Sequence, residues 1–368
     1  MRFKCEKSVL QEAIYTVQKA VTGKSTLAIL EGILLTAKDG YITLVGTDID
    51  LSIETKMKAN VLEQGTVVID SKLFGELIKK LPNDEIEITT KENSNLEILC
   101  QKSRSVILHM EADEFPSLPM VDENILLSFS QSMLKDMIKG TSFAAAQDET
   151  RPILTGILFE IIDKKLNLVA LDGLRVAVRS ESIENEGSIN VVIPAKALNE
   201  LAKILSDGEE EVKITFTKNH ILFNLGKTKI ISRLLEGEFI KYASIIPNEY
   251  NSKVVVNRHE MQDCIERASL VAKEGNTNLV KIDINDDIMV INSNSQLGKV
   301  REELNVVMQG QSIQIAFNSK YLIDVLKVMN EDEIVLEFSS SVSPCVAKNK
   351  DSNCCIYLVL PVRVLRTV

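Results

Sequence analysis

The 368-residue chain repeats itself at a fixed step. The stretch Val67-Val68-Ile69-Asp70-Ser71-Lys72-Leu73-Phe74-Gly75-Glu76-Leu77-Ile78-Lys79 has counterparts beginning 124 positions on, at Val191, and 124 positions further, at Ile315. In all three an apolar run leads into a helical pattern with Lys, an acid, an aliphatic and Lys at matched places. Such a period means a fold made by repeating one unit. A period of 124 residues lets each copy bury its own core, whereas the whole length exceeds what one ordinary core serves.

The step holds outside that helix. Leu30-Glu31-Gly32-Ile33-Leu34-Leu35 returns as Leu154-Thr155-Gly156-Ile157-Leu158-Phe159, Gly46-Thr47-Asp48 as Ala170-Leu171-Asp172, and Glu114-Phe115 as Glu238-Phe239. The third copy is looser: Leu134-Lys135-Asp136-Met137-Ile138 matches Met261-Gln262-Asp263-Cys264-Ile265 at a step of 127, the drift of small loop insertions. Amphipathic periodicity predicts first helices over Ser8 to Ala20, Ser132 to Ala144 and Arg258 to Val271, with period-two strands such as Tyr41–Val45, Leu166–Ala170 and Glu85–Thr89 between helices. The fold class is therefore α+β, three repeated domains with two helices each packed on antiparallel sheet. Boundaries are set at 1–120, 121–248 and 249–368, by the proline and polar clusters Pro116-Ser117-Leu118-Pro119 and Pro247-Asn248-Glu249-Tyr250-Asn251-Ser252.

Composition removes several classes. Hydrophobic content of 45% with 26% charged residues describes a globular chain. No apolar run approaches the roughly 20 residues of a membrane helix. Met1-Arg2-Phe3-Lys4-Cys5-Glu6 has no apolar signal core, so a cytoplasmic location without a membrane partner is expected. The six cysteines show no C-x-x-C spacing, which fits reduced thiols, and Cys354 and Cys355 are expected to face opposite ways on one strand. A net charge of −10 argues against a protein that simply coats nucleic acid.

The basic residues are nevertheless placed. The second helices carry Lys72, Lys79, Lys80, Lys196, Lys203, Lys320 and Lys327 against only Glu76, Glu200 and Asp324. Positions i, i+4 and i+7 share one helical face, here opposite the apolar one. For one helix a solvated face stitched by Lys–acid pairs is sufficient explanation; its recurrence in three copies of an acidic chain points instead to a positive lining for a phosphate backbone. Lysine is a hydrated point charge without a bidentate fork, suited to a surface along which a duplex slides.

Catalytic signatures dissolve on inspection. Ser132-Met133-Leu134-Lys135 matches S-x-x-K, but its counterpart Ser8-Val9-Leu10-Gln11 lacks the lysine, and Ser132 reads as a helix cap. Gly23-Lys24-Ser25 and Gly226-Lys227-Thr228 lack the earlier glycine of a phosphate-binding loop, with Gln18 and Ile221 standing there. His109, His220 and His259 have no metal-ligand spacing, and no metal or cofactor is expected. Asp48 and Asp172 are repeat equivalents at strand ends, which a turn role explains better than acid–base pairing with Asp50 or Asp207.

The triple repeat and several strings resemble the bacterial sliding clamp, the beta subunit of DNA polymerase III. They are Gly46-Thr47-Asp48, Leu154-Thr155-Gly156-Ile157-Leu158-Phe159-Glu160, Asp172-Gly173-Leu174-Arg175-Val176-Ala177-Val178, Phe317-Asn318-Ser319-Lys320-Tyr321-Leu322-Ile323-Asp324-Val325-Leu326 and Leu360-Pro361-Val362-Arg363. The resemblance spans the chain. It implies a non-catalytic processivity subunit, a head-to-tail homodimer of three-domain chains forming a ring around duplex DNA without sequence preference. The implied partners are the replicative polymerase, the clamp loader, repair polymerases and mismatch-repair proteins.

By the same resemblance a peptide pocket is lined by Leu154, Leu171, Gly173, Leu174, Arg175 and Val176, completed by Ile245, Asn318, Tyr321, Val342, Leu360, Pro361, Val362 and Arg363. Arg175, Asn318 and Tyr321 are expected to offer polar handles to the peptide. Lys24 and Gln147 join the seven lysines as DNA-facing residues, whereas Pro152 and Ile153 stand where relatives carry aromatics. The dimer seam falls on Val106, Ile107 and Leu108 against Leu270 and Val271, although each alone reads equally as core. This chain departs from the family in having Phe239-Ile240-Lys241-Tyr242 where Phe-Pro-Asp-Tyr is common, and in Leu365-Arg366-Thr367-Val368 beyond Arg363 and Val364. From the residues alone, a monomeric peptide-binding scaffold and a repeat-built enzyme with an unrecognised site remain open.

Overall fold

The structure is a computed structural model that describes residues 1–23, 25–121, 127–148, 150–184, 187–274, 278–352 and 354–363. Six α-helices stand among them: α1 (Lys7–Val17), α2 (Ser71–Lys80), α3 (Gln131–Ser142), α4 (Ala195–Ala202), α5 (Arg258–Glu274) and α6 (Ser319–Val328). None is long and apolar enough to cross a membrane.

Local chemistry sets the helix starts. Asp70 Oδ1 accepts from the Leu73 amide at 2.6 Å and Asn318 Oδ1 from the Lys320 amide at 3.0 Å, at the same place in two repeats. Each satisfies an amide that a first helical turn leaves without a partner. At α3 the cap is not Ser132. The Ser130 hydroxyl accepts from the Met133 amide at 3.3 Å, because Ser132 already lies inside the first turn. Apolar periodicity then turns Phe74 and Ile78 of α2, and Leu322, Val325 and Leu326 of α6, into the core.

The chain divides into two compact units, Met1–Lys135 with Glu200–Leu234, and Asp136–Asn199 with Leu235–Val368. The middle repeat thus contributes a part to each. The first unit holds a 13-stranded sheet and the second a 12-stranded one, each antiparallel throughout. Within the first, α1 packs on α2 and on strands Tyr41–Thr47 and Leu51–Lys58; within the second, α5 packs on α6 and on strands Ile288–Ser295 and Gly298–Gly310.

What makes each sheet continuous is a seam between repeats. In the first unit, strand Leu51–Lys58 pairs with strand Thr228–Arg233, running from Leu51 opposite Ser232 to Thr55 opposite Thr228. In the second, strand Arg175–Ser182 pairs with strand Cys355–Val359, from Arg175 opposite Val359 to Arg179 opposite Cys355. Leu51 and Arg175 are one repeat step apart, so the two seams are copies. Ile53 and Ile230 face each other in the first, both fully buried. Beside them the Thr55 and Thr228 hydroxyls share a buried 2.9 Å hydrogen bond, and at the surface Lys227 Nζ meets Glu12 at 2.7 Å.

Besides the strands that end the two sheets, Asn60–Glu63, Leu127–Ser130, Ile189–Pro194 and Ile313–Asn318, two strands at seam-equivalent positions keep one side partly open among the described residues. Strand Ser103–Met110 pairs along 103–108 only with strand Asn95–Cys100; its other side is used only at His109 and Met110. Residues 298–305 pair only with strand Ile288–Ser295.

All six cysteines are free thiols and five are buried. Cys354 does not lie in a strand opposite its neighbour; both thiols reach Asn349, with Cys355 Sγ donating to Oδ1 at 3.0 Å and Asn349 Nδ2 donating to Cys354 Sγ at 3.6 Å. Burial pushes the Cys5 and Cys355 thiols up to about 12 and raises Cys345 as well.

Replacing Thr228 with Val leaves the buried Thr55 hydroxyl poorly partnered. Thermal unfolding is expected to show a loss of about 1 kcal/mol, with Thr55→Val/Thr228→Val regaining part of it because both polar groups are then gone.

Candidate functional site

The fourteen pocket residues all belong to the second unit, and Arg175 and Val176 stand on the seam just described. Leu154, Leu158, Leu171, Val176, Val346 and Leu358 form a buried cluster, with Tyr242, Ile246 and Leu360 packed partly exposed against it. Four pocket residues named from the sequence, Leu154, Leu171, Val176 and Leu360, therefore share one apolar floor. Leu174, Ile245, Val342 and Val362 are large apolar side chains left exposed. Backbone bonds fix the tail: the Leu360 amide donates to Leu174 O at 2.9 Å and the Val362 amide to Ala316 O at 2.8 Å.

The hairpin that carries Leu174 is set by Asp172. Its Oδ1 accepts from the Leu174 amide at 2.9 Å and the Arg175 amide at 3.0 Å, while Gly173 takes φ +89°, a conformation open to a residue without Cβ. The first unit uses the same device: Asp48 Oδ1 accepts from the Leu51 amide at 2.8 Å. The turn role of this aspartate pair is thus observed in both repeats.

Arg175 is the hub of the groove rather than a free handle. Its Nε meets Asp172 Oδ2 at 3.0 Å, Nη1 meets Asp324 Oδ2 at 2.6 Å, and Nη2 donates to the Phe143 carbonyl at 2.6 Å. The guanidinium lies 4.5 Å from the Tyr321 ring centroid and 5.3 Å from that of Phe143. With its side chain 8% exposed, its hydrogen bonding is directed inward. Asn318 likewise spends its Oδ1 on capping α6. At the other side, the Tyr242 hydroxyl donates to Glu160 Oε2 at 2.7 Å, and burial together with that carboxylate raises the phenol's ionisation well above its ordinary range.

The sequence places Tyr242 at the groove's rim but does not point to Phe143, Asp324, Glu160 or Val346 as groove residues. Val346 alone carried a signal, the apolar alternation of strand Cys345–Asn349. Asp324 was assigned to the lysine face; its carboxylate is instead drawn to Arg175, because a buried guanidinium is a stronger partner than a solvated lysine on the same helix.

The lysines Lys72, Lys79, Lys80, Lys196, Lys203, Lys320 and Lys327 are all exposed on or beside α2, α4 and α6. Lys79 pairs with Glu76 at 3.5 Å, Lys203 with Glu200 at 2.7 Å, and Lys327 with Glu266 of α5 at 3.5 Å. Gln147 is exposed after α3, and Ile153 packs against the groove cluster instead of facing out. Lys24, Val364 and Leu365–Val368 lie outside the described residues. Among seam candidates, Val106, Leu108 and Leu270 are exposed, while Ile107 and Val271 are half-buried.

The groove's polar groups hold one another, and it turns apolar surface outward, which is the equipment of a binding protein. The known proteins it resembles are of that kind. Residues 1–119, 128–241 and 243–363 match the N-terminal, central and C-terminal domain models of the DNA polymerase III beta subunit. The beta sliding clamps of Staphylococcus epidermidis and Staphylococcus aureus are each 36% identical over 99% of this chain and 99% of their own. The crystal structure of the Bacillus subtilis DNA polymerase sliding clamp superposes with a TM-score of 0.95 at 34% identity, covering 99% of this chain and all of that one. A Pseudomonas aeruginosa sliding clamp bound to griselimycin gives 0.92 at 27% identity, with 99% of this chain and 100% of that chain covered. The chain belongs to the DNA polymerase III beta subunit family, the beta sliding clamps, which are processivity factors and not enzymes.

Replacing Arg175 with Met strands the Asp172 and Asp324 carboxylates. Urea unfolding is expected to show a loss of about 3 kcal/mol, with Asp324→Asn costing less because a neutral amide still accepts a hydrogen bond.

Proposed function

We propose that two copies of this chain close head to tail into a ring around duplex DNA and hold a polymerase there through the groove of the second unit. In this reading each chain supplies three clamp domains, 1–120, 121–248 and 249–368. The observation that carries it is the pair of copied seams together with the two partly open strands at seam-equivalent positions. Equivalent hairpin positions put Gly298 where Leu51 and Arg175 stand, and Ile107 where Ser232 stands. A third seam of the same register would set Ile107 of one copy opposite Gly298 of another, and Arg104 opposite Arg301. Those arginines already have acidic partners, Glu97 and Glu303, so the juxtaposition is tolerable. Exposed Val106, Leu108 and Leu270 supply apolar area beside the ladder, with Ile107 and Val271 behind them.

The lysine faces of α2, α4 and α6, with Lys24 and Gln147, are read as the DNA lining. Lys79, Lys203 and Lys327 are among those held by nearby acids, which keeps attraction to phosphate moderate and lets a duplex move. The groove takes an extended peptide whose aliphatic or aromatic side chains reach Leu154, Leu171, Val176 and Leu360, while Gly173, Leu174, Ile245, Asn318, Tyr321, Val342, Pro361, Val362 and Arg363 flank it. Arg175 acts as a positioning residue for that surface. The polymerase, the clamp loader, repair polymerases and mismatch-repair proteins are partners of this kind, and the ring works in the cytoplasm. Lys241 makes the rim more basic than the family's usual Asp does.

The topological test compares loader-assembled protein on nicked circular DNA with the same DNA linearised. Retention only on the circle is expected; equal retention on both rejects encirclement. Native mass should be about twice 41.0 kDa and fall to one chain in Leu108→Asp, a result that an unchanged mass contradicts. Lys72, Lys196 and Lys320 changed together to Glu should lower DNA loading without altering mass. Pro361→Ala with Arg363→Ala should weaken polymerase-peptide binding in titration, and unaltered affinity removes the groove assignment.

A further inference from the structure

The seam of the first unit also has a hollow beside it. A cavity of about 200 Å³ is lined by residues that include Thr47, Ile49, Ser52, Leu118, His220 and Arg233. By the repeat step, Thr47 stands where Leu171 does, Ile49 where Gly173 does and Ser52 where Val176 does; along the copied seam Arg233 corresponds to Leu360. The cavity is the counterpart of the groove, but at three of the four floor positions a polar or charged side chain stands in place of the aliphatic one, while Leu30 matches Leu154.

We infer that this cavity is a second ligand site, which takes an acidic side chain of a peptide together with a neighbouring aliphatic residue. The hydroxyls are not free to bind: Thr47 Oγ1 donates to Leu51 O at 3.1 Å and lies 2.7 Å from Ser52 Oγ. Two groups remain. The Arg233 guanidinium and the His220 ring have no side-chain hydrogen-bond or ion-pair partner among the described residues. The guanidinium supplies charge complementarity for one carboxylate and the ring a hydrogen-bonding group beside it, and the volume suits a single side chain rather than a whole peptide.

Ile49 supplies the apolar half. It holds φ +82°, where its repeat counterpart Gly173 sits at +89°, and it is 55% exposed. A β-branched residue in that conformation is strained, and such strain collects at ligand sites. Its consequence here is an aliphatic side chain held out at the cavity mouth, near Leu118. A phosphodiester backbone has nothing to match that contact, which favours peptide over nucleic acid. The inference leans on the peptide reading of the second unit's groove for its analogy, and its test is separable from that reading.

The test uses the full chain with labelled histidine rings and isoleucine methyls, observed by NMR. Because the sequence has three histidines, the His220 signals can be assigned, and His109 and His259 report whether variants are folded. The probes are acetyl-Leu-Glu-Leu-amide, its Gln analogue and inorganic phosphate. The Glu peptide should move the His220 and Ile49 signals saturably in the millimolar range, at least about fivefold more tightly than the Gln peptide. Arg233→Gln should abolish the shift, whereas Tyr321→Ala in the other groove should not. No saturable shift, an equal response to the Gln peptide, persistence in Arg233→Gln, or the same response to phosphate alone overturns the inference. A polymerase peptide titrated against the same protein still binds the other groove if only this inference fails.

Discussion

A strand leaves a row of backbone donors and acceptors along each side, and a structure must cover those rows or leave them open to whatever strand comes next. At the two seams of this chain the covering strand is supplied by the neighbouring repeat. Strand Leu51–Lys58 would be an edge of the first repeat, and strand Arg175–Ser182 an edge of the second, if strands Thr228–Arg233 and Cys355–Val359 did not pair with them. Sheet continuity, the division into two units that cuts the middle repeat, and the groove all descend from that pairing. A chain of three such repeats has two internal seams and leaves one uncovered strand side of each type, two unlike edges with the seam's complementary register.

The seam also explains why the groove is so firmly made. Arg175 begins the paired segment of its strand, so the ladder fixes its backbone before its side chain does anything. The guanidinium then joins the Asp172 turn, the end of α3 and the α6 helix through Asp324, with Tyr321 and Phe143 against its faces. Pre-set backbone and a closed set of charge-assisted bonds leave the apolar floor little freedom, which lowers the ordering cost of binding a ligand there. Asp324 shares its helix with Lys320 and Lys327, so one carboxylate taken by Arg175 removes an acid that would otherwise offset those lysines.

How far the sequence reached follows from the range of each interaction. Helix faces were legible because their periodicity is local: the positions of Lys72, Lys79, Lys196 and Lys320 on the polar side needed only residues within two turns. The Asp48 and Asp172 turns were legible because the repeat presented the same residue twice. The seam pairings were not, since Ile53 and Ile230 carry no mark that they face each other. Asp324 was misplaced for the same reason. Its i+4 spacing to Lys320 is visible in the sequence, but its actual partner is 149 residues away. Ser132 reads as the cap from the sequence, two residues past the actual one, because pattern alone fixes a helix start only to within a residue or two. Family resemblance supplied the floor residues Leu154, Leu171, Val176 and Leu360, but not the residues that hold Arg175.

Copying a seam copies backbone bonds, and those are indifferent to side chains. The two seams therefore keep one register while their side chains diverge: Thr55 and Thr228 share a hydroxyl bond across the first, and the matched place in the second is Arg179 opposite Cys355. Selection on the hollow beside each seam is then free of selection on the seam itself. Leu171, Val176 and Leu360 can make one hollow apolar, and Thr47, Ser52 and Arg233 can make the other polar, with the ladder untouched. That separation is what allows a repeated scaffold to present unlike hollows, and it places the chemical difference between them in side chains that no ladder hydrogen bond depends on.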